Sequence, residues 1–136
     1  MKEVNTYLSF DGNCREAMTF YQKCFSGELE THSFADMPNV PPEAKDRLMH
    51  ARVIKDGKTL LMASDGLPGR HLIVGNNFSV SVQCDSDEEI ERLFKAFTEK
   101  GEATMPLANQ FWGAKFGMIK DDFGVNWMFN YELPRS

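Results

Sequence analysis

The chain has 136 residues, is 42% hydrophobic and 26% charged, and carries a net charge of −5. That length and balance suit one globular domain with a sizeable core rather than a disordered chain. An acidic chain without a Lys/Arg cluster argues against a nucleic-acid partner, and no apolar run approaches the roughly 20 residues that span a bilayer, so no membrane partner is expected. The N-terminal stretch MKEVNTYLSF lacks the apolar region of a secretion signal. Cys14, Cys24 and Cys84 show no CxxC spacing and read as small, reduced hydrophobes, so a cytoplasmic location is expected.

Val4 to Phe10 alternates, with Val4, Thr6, Leu8 and Phe10 on one face and Asn5, Tyr7 and Ser9 on the other, which predicts a strand. Asn13 and Glu16 resemble a capping box. Ala17, Phe20, Tyr21, Cys24 and Phe25 then form a helical apolar stripe, which Gly27 can end in a left-handed cap. Glu28 to Ala35 reads as a strand, and the proline-bearing stretch Asp36 to Asp46 as a surface loop. Leu48 to Ile54 and Thr59 to Ser64 predict a hairpin around Asp56-Gly57. Residues 66–75, with Gly66, Pro68, Gly69 and Gly75, read as a linker.

The order then repeats. Asn77 to Val82 matches Asn5 to Phe10 position by position. Ser86 and Glu89 form a capping box, and Ile90, Leu93, Phe94 and Phe97 a helical stripe closed by Gly101. Three strands follow, near Ala103 to Asn109, Lys115 to Lys120 and Val125 to Tyr131. Val53-Ile54-Lys55-Asp56 with Leu60-Leu61-Met62 echoes Met118-Ile119-Lys120-Asp121 with Asn126-Trp127-Met128. The chain is therefore read as two βαβββ halves, about 1–65 and 76–131. Neither half can bury a sheet face alone, which predicts an α+β domain with one curved, cupped mixed sheet and helices outside.

Four stretches together resemble one family. They are Tyr7-Leu8-x-Phe10 with Gly12-Asn13; Phe20-Tyr21 with Phe25-Ser26-Gly27; His50-Ala51; and Phe111-Trp112-Gly113 with Asp122-Phe123-Gly124-Val125-x-Trp127. They resemble the PhnB-like branch of the vicinal oxygen chelate superfamily, which holds glyoxalases, bleomycin-resistance proteins and extradiol dioxygenases. The resemblance implies homodimers and a cup that takes a small molecule, with sequestration as one mode of action. Families close to this branch carry a ubiquinone-methyltransferase label, but the chain has no glycine-rich nucleotide loop for a methyl-donor cofactor. In catalytic members, four symmetric positions on the first and last strands hold a divalent metal. They correspond here to Asn5, Met62, Asn77 and Met128. Neutral amides and soft thioethers are poor ligands for such an ion, so no metal and no other cofactor is expected.

Site candidates follow from that cup. Asn5, Tyr7, Ser9, Asn77, Ser79, Ser81, Gln83, Asn126 and Asn130 form a polar, uncharged face, which either lines a binding cavity or is simply solvated. Met62 and Met128 add adaptable apolar contacts. His50 reads as a structural histidine, a polar anchor or a general base. A three-residue turn, Lys55-Asp56-Gly57, would pair His50 with Met62 and aim it into the cup. A two-residue turn would pair it with Ala63 and aim it at the helix. The first is preferred because it keeps Arg52 off the helix face. Trp112 either closes one end of the cup or offers a flat cation–π wall, Lys115 could pair a ligand anion, and Gln110 is a nearby polar candidate. His32 and His71 read as solvated, and Asp121-Asp122 as an exposed turn. Two readings are weighed against metal-free binding. One is an enzyme, metal-dependent or with His50 as base; the other is a structural dimer with a vestigial cup.

Overall fold

A computed structural model describes residues 1–135. The chain forms two compact units, Met1–Ile73 and the residues from Val74 onward. In the first, the order is β1 (Tyr7–Ser9), α1 (Cys14–Phe25), β2 (Glu28–Ser33), β3 (Leu48–Lys55) and β4 (Lys58–Ser64). In the second it is β5 (Val80–Gln83), α2 (Asp87–Thr98), β6 (Glu102–Asn109), β7 (Ala114–Lys120) and β8 (Asn126–Glu132). The sheets run β1-β4-β3-β2 and β5-β8-β7-β6, each with one parallel and two antiparallel pairings. The architecture is α+β, a βαβββ module used twice.

Each helix covers one face of its own sheet. In the first unit Ala17, Met18 and Tyr21 of α1 are fully buried, as are Ala51 and Val53 of β3 and Ala63 of β4. In the second, Phe97 of α2 packs edge-on against Trp127 and Phe129 of β8, with ring centroids 4.9 and 5.1 Å away. Such pairs add about 0.5–1.5 kcal/mol beyond the area they bury. Gly117 of β7 leaves room for the Phe94 ring, because a Cβ there would lie 2.5 Å from it.

The helix ends differ from the sequence expectation. Asn13 makes no side-chain cap bond. Asp65, expected just before the linker, is instead buried and accepts from three backbone N–H groups: Gly12 (2.8 Å), Cys14 (3.0 Å) and Leu48 (2.8 Å). A carboxylate from the end of β4 thus satisfies the start of α1. Ser26, not Gly27, adopts the left-handed cap at φ 56°. Gly27 is needed for close approach, since a Cβ would meet the Ile54 carbonyl at 2.7 Å, and Gly101 likewise sits against the Phe97 carbonyl. The capping box of α2 forms: Ser86 Oγ accepts from Glu89 N–H at 3.1 Å, and the Glu89 carboxylate accepts from Asp85 N–H at 2.9 Å.

Asp121 is also buried, not an exposed turn residue. Its Oδ1 accepts from the N–H groups of Phe123 and Val125, and its Oδ2 from Trp127 Nε1, all at 2.8–2.9 Å. The first strands are shorter than expected. Asn5 lies ahead of β1, and Asn77 and Ser79 lie ahead of β5.

Candidate functional site

Residues directly opposite on paired strands point to the same side of a sheet. Away from α1, the first unit presents a row of Tyr7, Met62, Arg52 and Glu30. The next row brings His50 opposite His32, with rings stacked at 6.4 Å. His50 Nδ1 lies 3.2 Å from Tyr7 Oη, and the phenol donates when the imidazole is protonated at Nε2 alone. Arg52 grips the Glu30 carboxylate with two bonds, Nε–Oε1 at 3.2 Å and Nη2–Oε2 at 3.1 Å. Those bonds, more than the weaker contact from His32, hold the Glu30 carboxyl below its ordinary range. Arg52 Nη1 also donates to Thr59 at 3.3 Å. Tyr7, His50, His32, Glu30 and Arg52 therefore form one polar array on an open sheet face. Glu30 and His32 were not expected there. The β2–β3 register, which a single strand's pattern does not reveal, places them.

Neither expected pairing of His50 occurs. The turn is the two-residue Asp56-Gly57 type, both residues having positive φ (52° and 77°). Lys55 pairs with Lys58 and Ile54 with Thr59, and a bulge then shifts the register so that Arg52 pairs with Met62 and Ala51 with Ala63. The extra residue restores the face that a three-residue turn would have set. His50 and Arg52 consequently face away from α1, while Ala51 and Val53 face it.

The second unit's corresponding row is Ser81, Met128, Met118 and Met105. The next is Gln83, Asn130, Phe116 and Ala108, with Asn130 Nδ2 donating to Gln83 Oε1 at 2.9 Å. Asn126 lies on the same face, opposite Lys120. Trp112, 52% exposed, stands beside Phe116 with centroids 5.9 Å apart. Trp112, Asn130, Glu132 and Arg135 line an open pocket of about 680 Å³, with Gly113, Ala114, Leu133 and Pro134 completing it.

Lys115 is paired within the second unit. It points from β7 to the helix side, where its ammonium donates to Asp87 at 2.9 Å and to Glu91 of α2. Glu91 first, then Asp87, raises its pKa. Gln110 donates to the Ala108 carbonyl. Asn5, Asn77 and Ser79 are exposed outside the strands.

The four positions matched to the superfamily's metal ligands do not fit a divalent ion. In the observed register Met62 and Met128 lie beside Tyr7 and Ser81, not beside Asn5 and Asn77. A phenol, a hydroxyl and two thioethers supply no formal negative charge at neutral pH, and the Arg52 guanidinium is the next side chain in the row. Among the described residues, no three His, Cys, Asp or Glu side chains gather around a possible ion.

Paired βαβββ modules with one open sheet face each define the glyoxalase-type fold. The chain shares it with a glyoxalase/bleomycin resistance protein/dioxygenase from Nocardioides (TM-score 0.58, 20% identity, covering 100% of this chain and 87% of that one), a likeness of fold alone. The chain belongs to the family described as 3-demethylubiquinone-9 3-methyltransferase, whose profile matches residues 2–129. It is 31% identical to protein YjdN of Escherichia coli, with 93% of each chain covered. It is also similar to the solved structures of PA1353 from Pseudomonas aeruginosa (43% identity, TM-score 0.88, 98% and 100% covered) and of the PhnB protein from Bacillus cereus (28%, 0.78, 96% and 99%). No helix among the described residues is long and apolar enough to cross a membrane.

Proposed function

We propose that this protein binds a small polar molecule without a metal, as a cytoplasmic homodimer with no nucleic-acid partner. The pocket walled by Trp112, Asn130 and Glu132 carries this reading, because it combines a flat apolar wall with a few polar groups at a volume suited to small molecules. Three buried cysteines that form no disulfide suit a reducing compartment. The net charge of −5 disfavours a phosphate backbone. Exposed Phe78 (83%), Ile73 (79%) and Phe111 (97%) suit a contact with a second copy. The test is the native mass of protein purified without chelator or denaturant. A dimer retaining an organic adduct is expected. One metal ion per chain would overturn the metal-free reading, and a monomer at micromolar concentration would remove the dimer.

A second reading, His50 as a general base, draws on its bond to Tyr7. If it holds, His50→Ala abolishes turnover of any substrate found while leaving that substrate's binding intact. Equal loss of binding makes His50 an anchor instead.

A further inference from the structure

The pocket of the second unit carries two charges left unengaged. Glu132 and Arg135 both line it, and among the described residues neither has an ion-pair partner. Arg52 and Lys115, by contrast, are taken: Arg52 by Glu30, and Lys115 by Asp87 and Glu91. Glu132 follows Asn130 by two residues on β8 and so shares its open face. The Gly113 carbonyl accepts from Leu133 N–H at 2.9 Å, and Ala114 pairs with Glu132. These bonds fix the turn carrying Trp112 against the strand end carrying the carboxylate. The left-handed Gly113, at φ 90°, allows the chain to reverse there.

An indole face attracts a cation through its quadrupole, and a neighbouring carboxylate supplies the counter-charge. A guanidinium recognises an anionic group through its fork of donors. With both signs on its walls, the pocket repels part of any simple ion: a lone anion meets Glu132 and a lone cation meets Arg135. We infer that this pocket selects zwitterions, seating a cationic nitrogen on Trp112 against Glu132 and an anionic group on Arg135. The inference rests on the small-molecule reading above and names its ligand class.

The test uses the full chain and three isosteric probes. Glycine betaine carries both charges. 3,3-Dimethylbutanoate replaces its nitrogen with carbon and keeps only the carboxylate, and choline keeps only the cation. Binding is followed by tryptophan fluorescence, which Trp112 can report because Trp127 is buried. Betaine is expected to bind saturably, and each single-charge isostere about tenfold or more weakly, which is about 1.4 kcal/mol. Glu132→Gln should abolish the preference over dimethylbutanoate, and Arg135→Gln the preference over choline. Both residues are at the surface, so the fold is expected to survive. The inference is overturned if an isostere binds as tightly as betaine, if neither variant changes the preferences, or if betaine does not bind to high millimolar concentration. A non-zwitterionic adduct retained in the native mass, which betaine does not displace, overturns it while leaving small-molecule binding standing.

Discussion

The two units share a topology but present opposite chemistry on their open faces. Where the first carries Tyr7, Met62, Arg52 and Glu30 in one row, the second carries Ser81, Met128, Met118 and Met105. A row of thioethers is adaptable and apolar, whereas an Arg–Glu pair with two histidines and a tyrosine beside it is directional and titratable. The helix-facing sides are buried in both units, by small and aliphatic residues in the first and by edge-packed aromatics in the second. A duplicated module thus keeps the face that holds it together and diverges on the face that meets the outside. The internal staples diverge too: Asp65 ties the start of α1 to β3, while Asp121 ties the β7–β8 turn to Trp127.

Removing a staple should have the largest effect on the fold. Asp65→Ala removes the acceptor of three backbone donors, two of them, on Cys14 and Leu48, buried, and is expected to cost on the order of 4 kcal/mol, read as a lower urea midpoint. An effect below about 1 kcal/mol would mean water replaces the carboxylate. Trp127→Phe keeps the ring against Phe97 but deletes one donor to Asp121, so about 1–2 kcal/mol is expected in the same experiment. Met128→Leu conserves volume on the open face of the second unit and should cost less than about 1.5 kcal/mol. A larger loss would show that the methionine row is packed as core.

The titratable groups give two smaller effects. Burial first, and Asp65 second, push the Cys14 thiol up to about 12. Burial also raises Cys84, to about 11. An unfolded thiol ionises near 9 while the folded one keeps its proton, so stability is complete below pH 9 and falls as pH rises from 9 towards 12. Alanine at Cys14 should flatten that alkaline decline, followed by thermal unfolding at stepped pH. The Glu30 shift has the opposite sign. Its carboxyl is held below the ordinary 4.5, so its contribution is present above that value and fades as pH falls below it. Arg52→Met, which gives the first unit the second's chemistry, should remove this acid-limb contribution. The change should be small because Glu30 is exposed, and an unchanged acid limb would mean that the ion pair is not maintained in solution.

Element type and order were legible because periodicity reports burial. The 3.6-residue stripes at Ala17 to Phe25 and Ile90 to Phe97 mark helix faces, and alternation in 125–131 marks a strand. Register was not legible. The sequence pattern aligns Asn77 to Val82 with Asn5 to Phe10, yet Tyr7 and Ser81 are the residues beside Met62 and Met128, a shift of two. A shift of two preserves every inward and outward side chain, so no alternation pattern can detect it. The same limit hid the bulge at Val53/Ile54, whose effect on facing matched that of a longer turn. The partners of Lys115 are likewise hidden in the sequence, because its carboxylates lie 24 and 28 residues away on α2.

The two βαβββ modules and the helix-facing core are legible in the chain alone, because hydrophobic spacing is a local property. The folded chain, in contrast, buries Asp65 and Asp121 as staples, ties Lys115 of β7 to α2, brings His50 to Tyr7 and His32, and sets Glu132 and Arg135 in one pocket with Trp112. Each of these depends on which strands and turns lie side by side, and long-range pairing is the one thing that a residue's neighbours in sequence do not specify.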